Sequence, residues 1–268
     1  MKQKTRQRVF FVSLFACCLS VGVILKAGTF FGTIPTGLVE LKDYKYPVFL
    51  FVPENYKADR DYPLIVSVPA EGESAEKNIK YWVRLAKSQS LIVVAPTNLR
   101  PEDLPTKMDE WLLSIKKDVM QRYRITSRKI YLVGLEGGAH YAAYLGVKYP
   151  EEFSAVALLG GSWIGKFEKL MRLQSKPRKQ RPFYVAMTQE DPALFEKTRQ
   201  RAFQFEKKGY PVSMEPLEKK EDLSSDEFKK KLVTWFEEKS ESWQRVVEDS
   251  KKKFKEKAII TFEDLFHV

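Results

Sequence analysis

The chain has 268 residues, with 46 Lys or Arg, 35 Asp or Glu, two His and two Cys. At about 150 residues per domain that is one large domain or two, and 44% hydrophobic residues with 13% aromatics exclude wholesale disorder. Two His and two Cys leave little for a zinc site, a haem or a disulfide framework, and they limit any chemistry that needs a histidine base. No cofactor and no metal is expected.

Residues 1–8 carry Lys2, Lys4, Arg6 and Arg8 and no acid, and a nearly pure apolar run follows over Val9–Leu25 before Lys26. A basic segment ahead of such a run reads as an export signal or signal-anchor. Seventeen residues lie at the lower limit for a membrane-spanning helix. The expected layout is a cytoplasmic basic segment at 1–8 and a signal-anchor or signal peptide at 9–26, with 9–25 in the membrane. The rest lies outside the inner, cytoplasmic membrane, because a positive flank stays inside. A secreted form or a lipoprotein acylated at Cys17 is the alternative. Cys17 and Cys18 both fall in this run, so the folded part holds no thiol.

The net charge of +11 divides unevenly. Residues 1–26 hold five bases and no acid, 27–165 hold 17 and 16, and 166–268 hold 24 and 19. Much of the later excess sits at Arg172, Lys176, Arg178, Lys179 and Arg181 and in Lys251–Lys257. Both read as solvated surface or as a contact for anionic lipid or another polyanion. No nucleic-acid module accompanies them, and no nucleic-acid partner is expected.

From residue 46 onward short β-rich runs alternate with helical patterns. Strands are predicted at Tyr46–Val52, Leu64–Val68, Leu91–Ala95, Lys129–Val133, Ser154–Leu159, Phe183–Met187 and Pro211–Glu215. Continuous apolar stretches of this kind suit strands buried on both faces. Helices are predicted at about 75–88, 106–123, 137–148, 163–173 and 193–208. Such alternation points to an α/β fold, a mostly parallel sheet with helices on both faces and an antiparallel start. A linker and first strand occupy 27–45, the α/β domain 46–240, and a helical C-terminal extension 241–268. The helical pattern of 225–257 fits one long helix or two broken near Ser240.

Several motifs, in order, resemble the α/β-hydrolases of the esterase, phospholipase/carboxylesterase and polyhydroxybutyrate-depolymerase-like group. They are Val52-Pro53-Glu54-Asn55-Tyr56, Tyr62-Pro63-Leu64-Ile65-Val66, Gly134-Leu135-Glu136-Gly137-Gly138, Tyr149-Pro150-Glu151-Glu152-Phe153 and Pro182–Asp191. The resemblance implies the α/β-hydrolase fold over about 46–238, with a nucleophile on a G-x-S-x-G turn. Here Gly134, Gly137 and Gly138 are present, but Glu136 occupies the nucleophile position. The family's His belongs in the loop after the last strand, and Pro216–Leu223 contains none. His140 reads as a partly buried helix residue, and His267 lies far along the chain. Asp191 stands where the family has its acid, with helix capping as its expected role. Pro69-Ala70 replace the family's His-Gly on the oxyanion side, and Pro69 has no N–H to donate.

Three functional readings follow. The first is a membrane-anchored, catalytically inactive hydrolase-like protein, a pseudoenzyme that binds an unknown protein or small molecule or serves as an envelope scaffold. The second is an esterase-like hydrolase with an atypical carboxylate site at Glu136 and Asp191. The third is a contact module for anionic lipid or a polyanion, with Arg172–Arg181 as a lid over the site.

Overall fold

The computed structural model describes residues 34–97, 105–176 and 179–266, with the side chains of 105–106, 250 and 253–266 left undescribed. The expected membrane segment 9–25 lies outside the described residues. Among those described, no helix is long and apolar enough to cross a membrane.

Eight strands form one sheet: β1 (Gly37–Glu40), β2 (Val48–Val52), β3 (Tyr62–Val68), β4 (Ile92–Pro96), β5 (Ile125–Leu135), β6 (Ala155–Leu159), β7 (Phe183–Thr188) and β8 (Val212–Leu217). Their spatial order is β1-β2-β4-β3-β5-β6-β7-β8. The β1–β2 and β2–β4 pairings are antiparallel, and all the others are parallel. The antiparallel start is therefore present, and it is β4, not β3, that takes β2 as a partner.

Among the described residues five α-helices accompany the sheet: α1 (Ala75–Gln89), α2 (Pro105–Arg122), α3 (Gly137–Lys148), α4 (Pro192–Lys207) and α5 (Asp226–Phe266). The two faces follow the alternation of strand side chains. Leu64, Val66, Ile92, Val94, Leu132, Val156 and Phe183 point to one core with Leu112 and Ile115 of α2, Leu145 of α3 and Phe205 of α4. Ile65, Val93, Tyr131, Val133, Ala157 and Tyr184 point to the other, with Trp82 of α1 and Leu232 and Phe236 of α5. Both faces of the central strands are thus buried, which is why they lack polar alternation.

One predicted helix is absent. Over 163–173 only a single 3₁₀ turn forms, at Glu168–Leu170. The apolar spacing there serves separate destinations. Trp163 packs on Phe183 and Phe205, whereas Phe167 packs on Tyr141 and Tyr144. Ser162 Oγ also accepts from Ile164 N at 3.0 Å, a local turn that competes with a helix. At the other end of the chain, α5 runs unbroken through Ser240 for 41 residues, about 60 Å.

Residues 174–176 and 179–181, part of the basic segment expected to form a lid, do not cover the site. Gln174 N donates to Tyr210 Oη at 2.8 Å and Gln180 Nε2 donates to Gln174 O at 2.9 Å. These contacts hold them where β7 and β8 begin, opposite the ends of the parallel strands. Arg181 is only 3% exposed. Its Nε donates to Phe153 O at 2.5 Å, and its guanidinium lies 3.6 Å from the Trp243 ring centroid. Burial lowers its pKa to about 10. Arg181 therefore pins α5 to the body and is no surface charge. Arg178 lies outside the described residues.

Asp109 of α2 is fully buried. Its carboxylate accepts from Tyr141 (2.9 Å), Tyr144 (3.1 Å), Tyr149 (2.9 Å) and Lys148 Nζ (2.6 Å). A buried charge survives only when so fully partnered. Replacing it removes the shared acceptor of three hydroxyls and an ammonium, leaving Tyr141 and Tyr149 without this bond while Lys148 keeps Tyr144 Oη at 2.6 Å. Asp109→Ala is expected to lower unfolding free energy by about 3 kcal/mol or more, read from urea denaturation followed by circular dichroism.

Candidate functional site

The site grows out of the turn between β5 and α3. Glu136 there has φ 46° and ψ −115°, a conformation that non-glycine residues rarely adopt. Its N–H donates to Leu159 O on β6 at 2.7 Å. The surrounding glycines are required by close approach. A Cβ on Gly134 would sit 2.5 Å from Ala139 Cα. One on Gly138 would collide with the Pro69 carbonyl and lie 2.8 Å from Val68 O. One on Gly161 would collide with the Glu136 carbonyl. The helix α3 is driven against β5, β6 and the loop after β3, and only bare backbone allows that contact.

The loop after β3 is also anchored from below. Ser67 Oγ donates to Asn78 Oδ1 (2.7 Å), Asn78 Nδ2 returns to Ser67 O (2.8 Å) and Trp82 Nε1 donates to Ser67 Oγ (2.8 Å). This buried set locks β3 to α1 and so fixes Pro69, Ala70 and Glu71 beside the turn. A Cβ on Gly137 would meet Glu71 Cβ at 3.2 Å and Glu71 Oε2 at 3.6 Å. A carboxylate therefore stands next to the residue whose N–H would complete an oxyanion hole.

Each acid at the site has its own partner. Glu136 Oε1 lies 3.0 Å from Lys220 Nζ, with the two side chains about half exposed. Lys220 comes from the loop after β8, the loop that the family resemblance assigns to its base. Glu71 pairs with Lys166 at 2.7 Å, and the Lys166 hydrogen bond holds its carboxyl below the ordinary range. Glu73 pairs with Lys77 at 2.8 Å. Asp191 caps α4, where its side chain accepts from Leu194 N at 2.9 Å. Glu136 and Asp191 are thus bound to different groups. Among the described residues no cluster of His, Cys, Asp and Glu has the arrangement to hold a metal ion.

His140 is half-buried one turn into α3, and a Cβ on Gly165 would collide with its ring. The ring packs against Gly165 in the loop after β6. Burial holds the imidazole below its ordinary pKa, with Lys166 adding to the effect and Glu71 opposing it. His267 lies outside the described residues. Sequence reasoning missed Lys220, Glu71 and Lys166. The readable signal was that the loop 216–223 contains lysines where a histidine was sought.

Two outcomes follow. A His with a depressed folded pKa stabilises the fold above its unfolded value of about 6.5, and that stability is lost as pH falls below it. His140→Gln is expected to flatten the decline in stability between about pH 7 and pH 5, measured by urea unfolding at each pH. Lys220→Met is expected to change stability by less than about 1 kcal/mol, because half-exposed ion pairs contribute little.

Comparison with known proteins places this geometry. A family model described as Esterase PHB depolymerase matches residues 109–187, under half of the chain. No curated protein matches the chain by sequence. Among solved structures, an S-formylglutathione hydrolase from Staphylococcus aureus superposes with a TM-score of 0.58 at 11% identity, covering 75% of this chain and 98% of that one. An α/β hydrolase enzyme from a Medee basin deep-sea metagenome library gives 0.54 at 15%, covering 80% and 99%. A thermostable esterase gives 0.52 at 20% and covers 77% of this chain. The chain spans 61% of that esterase, less than two thirds of its length. Sheet order, the strained turn between β5 and α3, and these likenesses identify an α/β-hydrolase fold, with the sequence signal in its esterase-like group.

Proposed function

We propose that this chain is a membrane-anchored, catalytically inactive α/β-hydrolase-like protein that acts by binding or scaffolding in the cell envelope. The observation that carries this reading is the Glu136–Lys220 ion pair at 3.0 Å, occupying the positions where the fold has its nucleophile and base. A serine attacks an acyl carbon because a neutral imidazole takes its proton. A carboxylate paired with an ammonium is a weak nucleophile toward an ester, and the ammonium has no lone pair with which to activate water against an acyl intermediate. The Glu71 carboxylate beside Gly137 opposes the negative charge that an acyl-transfer transition state develops. Removing one oxyanion donor from a working site costs about 100-fold to 1,000-fold, and losing the nucleophile and base costs about a million-fold.

An esterase-like enzyme with an atypical carboxylate site is the competing reading. It needs Glu136 and Asp191 to act together, and the separate partners of the two carboxylates count against it. The anchor rests on the basic 1–8 segment and the apolar 9–25 run.

The purified protein is expected neither to be labelled by a fluorophosphonate probe nor to turn over short-chain nitrophenyl esters above the buffer rate. Glu136→Ser alone is expected to stay unlabelled, since Lys220 and Glu71 remain. Turnover that disappears in Glu136→Gln would sink the proposal and support the carboxylate enzyme. Resistance of the full chain to alkaline carbonate extraction from membranes tests the anchor.

A further inference from the structure

The parallel strands give the domain two ends, and charge is divided between them. At the end carrying Glu136, the connections 41–47, 69–74, 136, 160–173, 189–191 and 218–225 hold ten Asp or Glu against seven Lys or Arg. At the opposite end, where the parallel strands start, lie the connections 53–61, 123–124, 149–154, 174–182 and 208–211 and the first residues of β5, 125–129, whose Arg128 and Lys129 stand beside Glu248 and Glu237 of α5. Leaving out the buried Arg181 and the undescribed Arg178, they hold eight Lys or Arg against five Asp or Glu.

Helix preferences add to this bias, since the last turns of α1, α2, α3 and α4 all carry a base and all end at the starting edge. They do not create it, because the connections are outside the helices. The Arg124–Asp61 and Lys179–Glu151 contacts take up two of the five acids there. Lys57, Arg60, Lys176 and Lys208 are all exposed at this edge.

Two further elements meet the same edge. The chain enters the domain there, since Pro35 O accepts from Tyr123 Oη at 2.9 Å and Gly37 opens β1 opposite Val52, the last residue of β2. The helix α5 leaves there, since Gln244 Nε2 donates to Arg128 O at 3.1 Å. Lys251 and Lys252 follow on α5 and are exposed. The basic face is thus continuous with the point from which a chain carrying an apolar 9–25 run departs.

We infer that the strand-starting edge is a docking face for an anionic lipid bilayer, with the Glu136 end turned away from the membrane. Basic groups within a screening length of an anionic surface are drawn to it, and the acidic far end is repelled. The inference rests on the anchor in the reading above but not on loss of catalysis, and an esterase assay is blind to it.

The full chain, with Cys17 and Cys18 replaced by Ser, is reconstituted in lipid nanodiscs holding an acceptor dye. A donor dye is placed at Lys208→Cys or at Glu218→Cys. In phosphatidylglycerol discs the Lys208 site is expected to transfer energy roughly 3-fold more efficiently than the Glu218 site. Phosphatidylcholine, about 1 M salt, or the set Lys57→Glu, Arg60→Glu and Lys176→Glu should each shrink that difference. Equal transfer from the two sites, a nearer Glu218 site, or a difference indifferent to lipid charge would overturn the inference. So would failure of the chain to associate with the discs. Binding to a polynucleotide while neither label approaches lipid would also overturn it, in favour of a different partner.

Discussion

The close packing of α3 against the sheet governs everything else at this site. Gly134, Gly138 and Gly161 admit backbone where a methyl group would collide, and Glu136 accepts an unfavourable φ of 46° to let the chain reverse. A residue held in such a region costs on the order of 1–3 kcal/mol, and persists only when its surroundings over-determine it. Here they do: Leu159 O takes the Glu136 N–H, and β6, β3 and α3 converge on the same few atoms. None of these contacts involves the Glu136 carboxylate. The turn is a packing solution first, and it accepts a glutamate where the resembling family has its serine. That separates two properties usually read together, the shape of a nucleophile turn and its reactivity.

Much of the fold was legible because buried parallel strands leave an unmistakable mark. Leu91–Ala95 and Ala155–Leu159 are unbroken apolar runs because cores lie on both sides of them. The helix α3 was found to the residue, since Pro150 follows it and glycines precede it. Residues 163–173 misled because apolar spacing alone cannot tell one packed stripe from several side chains sent to different pockets. The charged site was legible in what it lacks but not in what replaces it. That Ser and His are missing is visible in a string of letters. That Lys220 reaches Glu136, or that Glu71 stands beside Gly137, depends on which loops the topology brings together across gaps of 84 and 66 residues.

Arg181 shows how far context can overturn a charge. In sequence it belongs with Arg172, Lys176 and Lys179 as one basic cluster. In the fold its guanidinium is stacked on Trp243 and hydrogen-bonded to a backbone carbonyl, so desolvation and not solvation sets its properties. Asp109 is the complementary case. It stands in an ordinary amphipathic helix, yet four donors converge on it from α3 and the residue after it. The exposed pairs around Glu136 are energetically minor beside it, which is why they can differ so freely from the family's pattern without endangering the fold.

The long helix α5 has a consequence for biosynthesis. It supplies Phe228, Leu232, Val233, Trp235 and Phe236 to the core on the α1 side of the sheet. Those residues are made after every strand. Until they emerge, Tyr131, Ala157 and Tyr184 have no helix to cover them, and Arg181 has no Trp243 to lie against. The domain therefore cannot close that face during translation of its first 225 residues. The last-made helix thus acts as the closing half of its own core, and compaction waits until the whole domain is available.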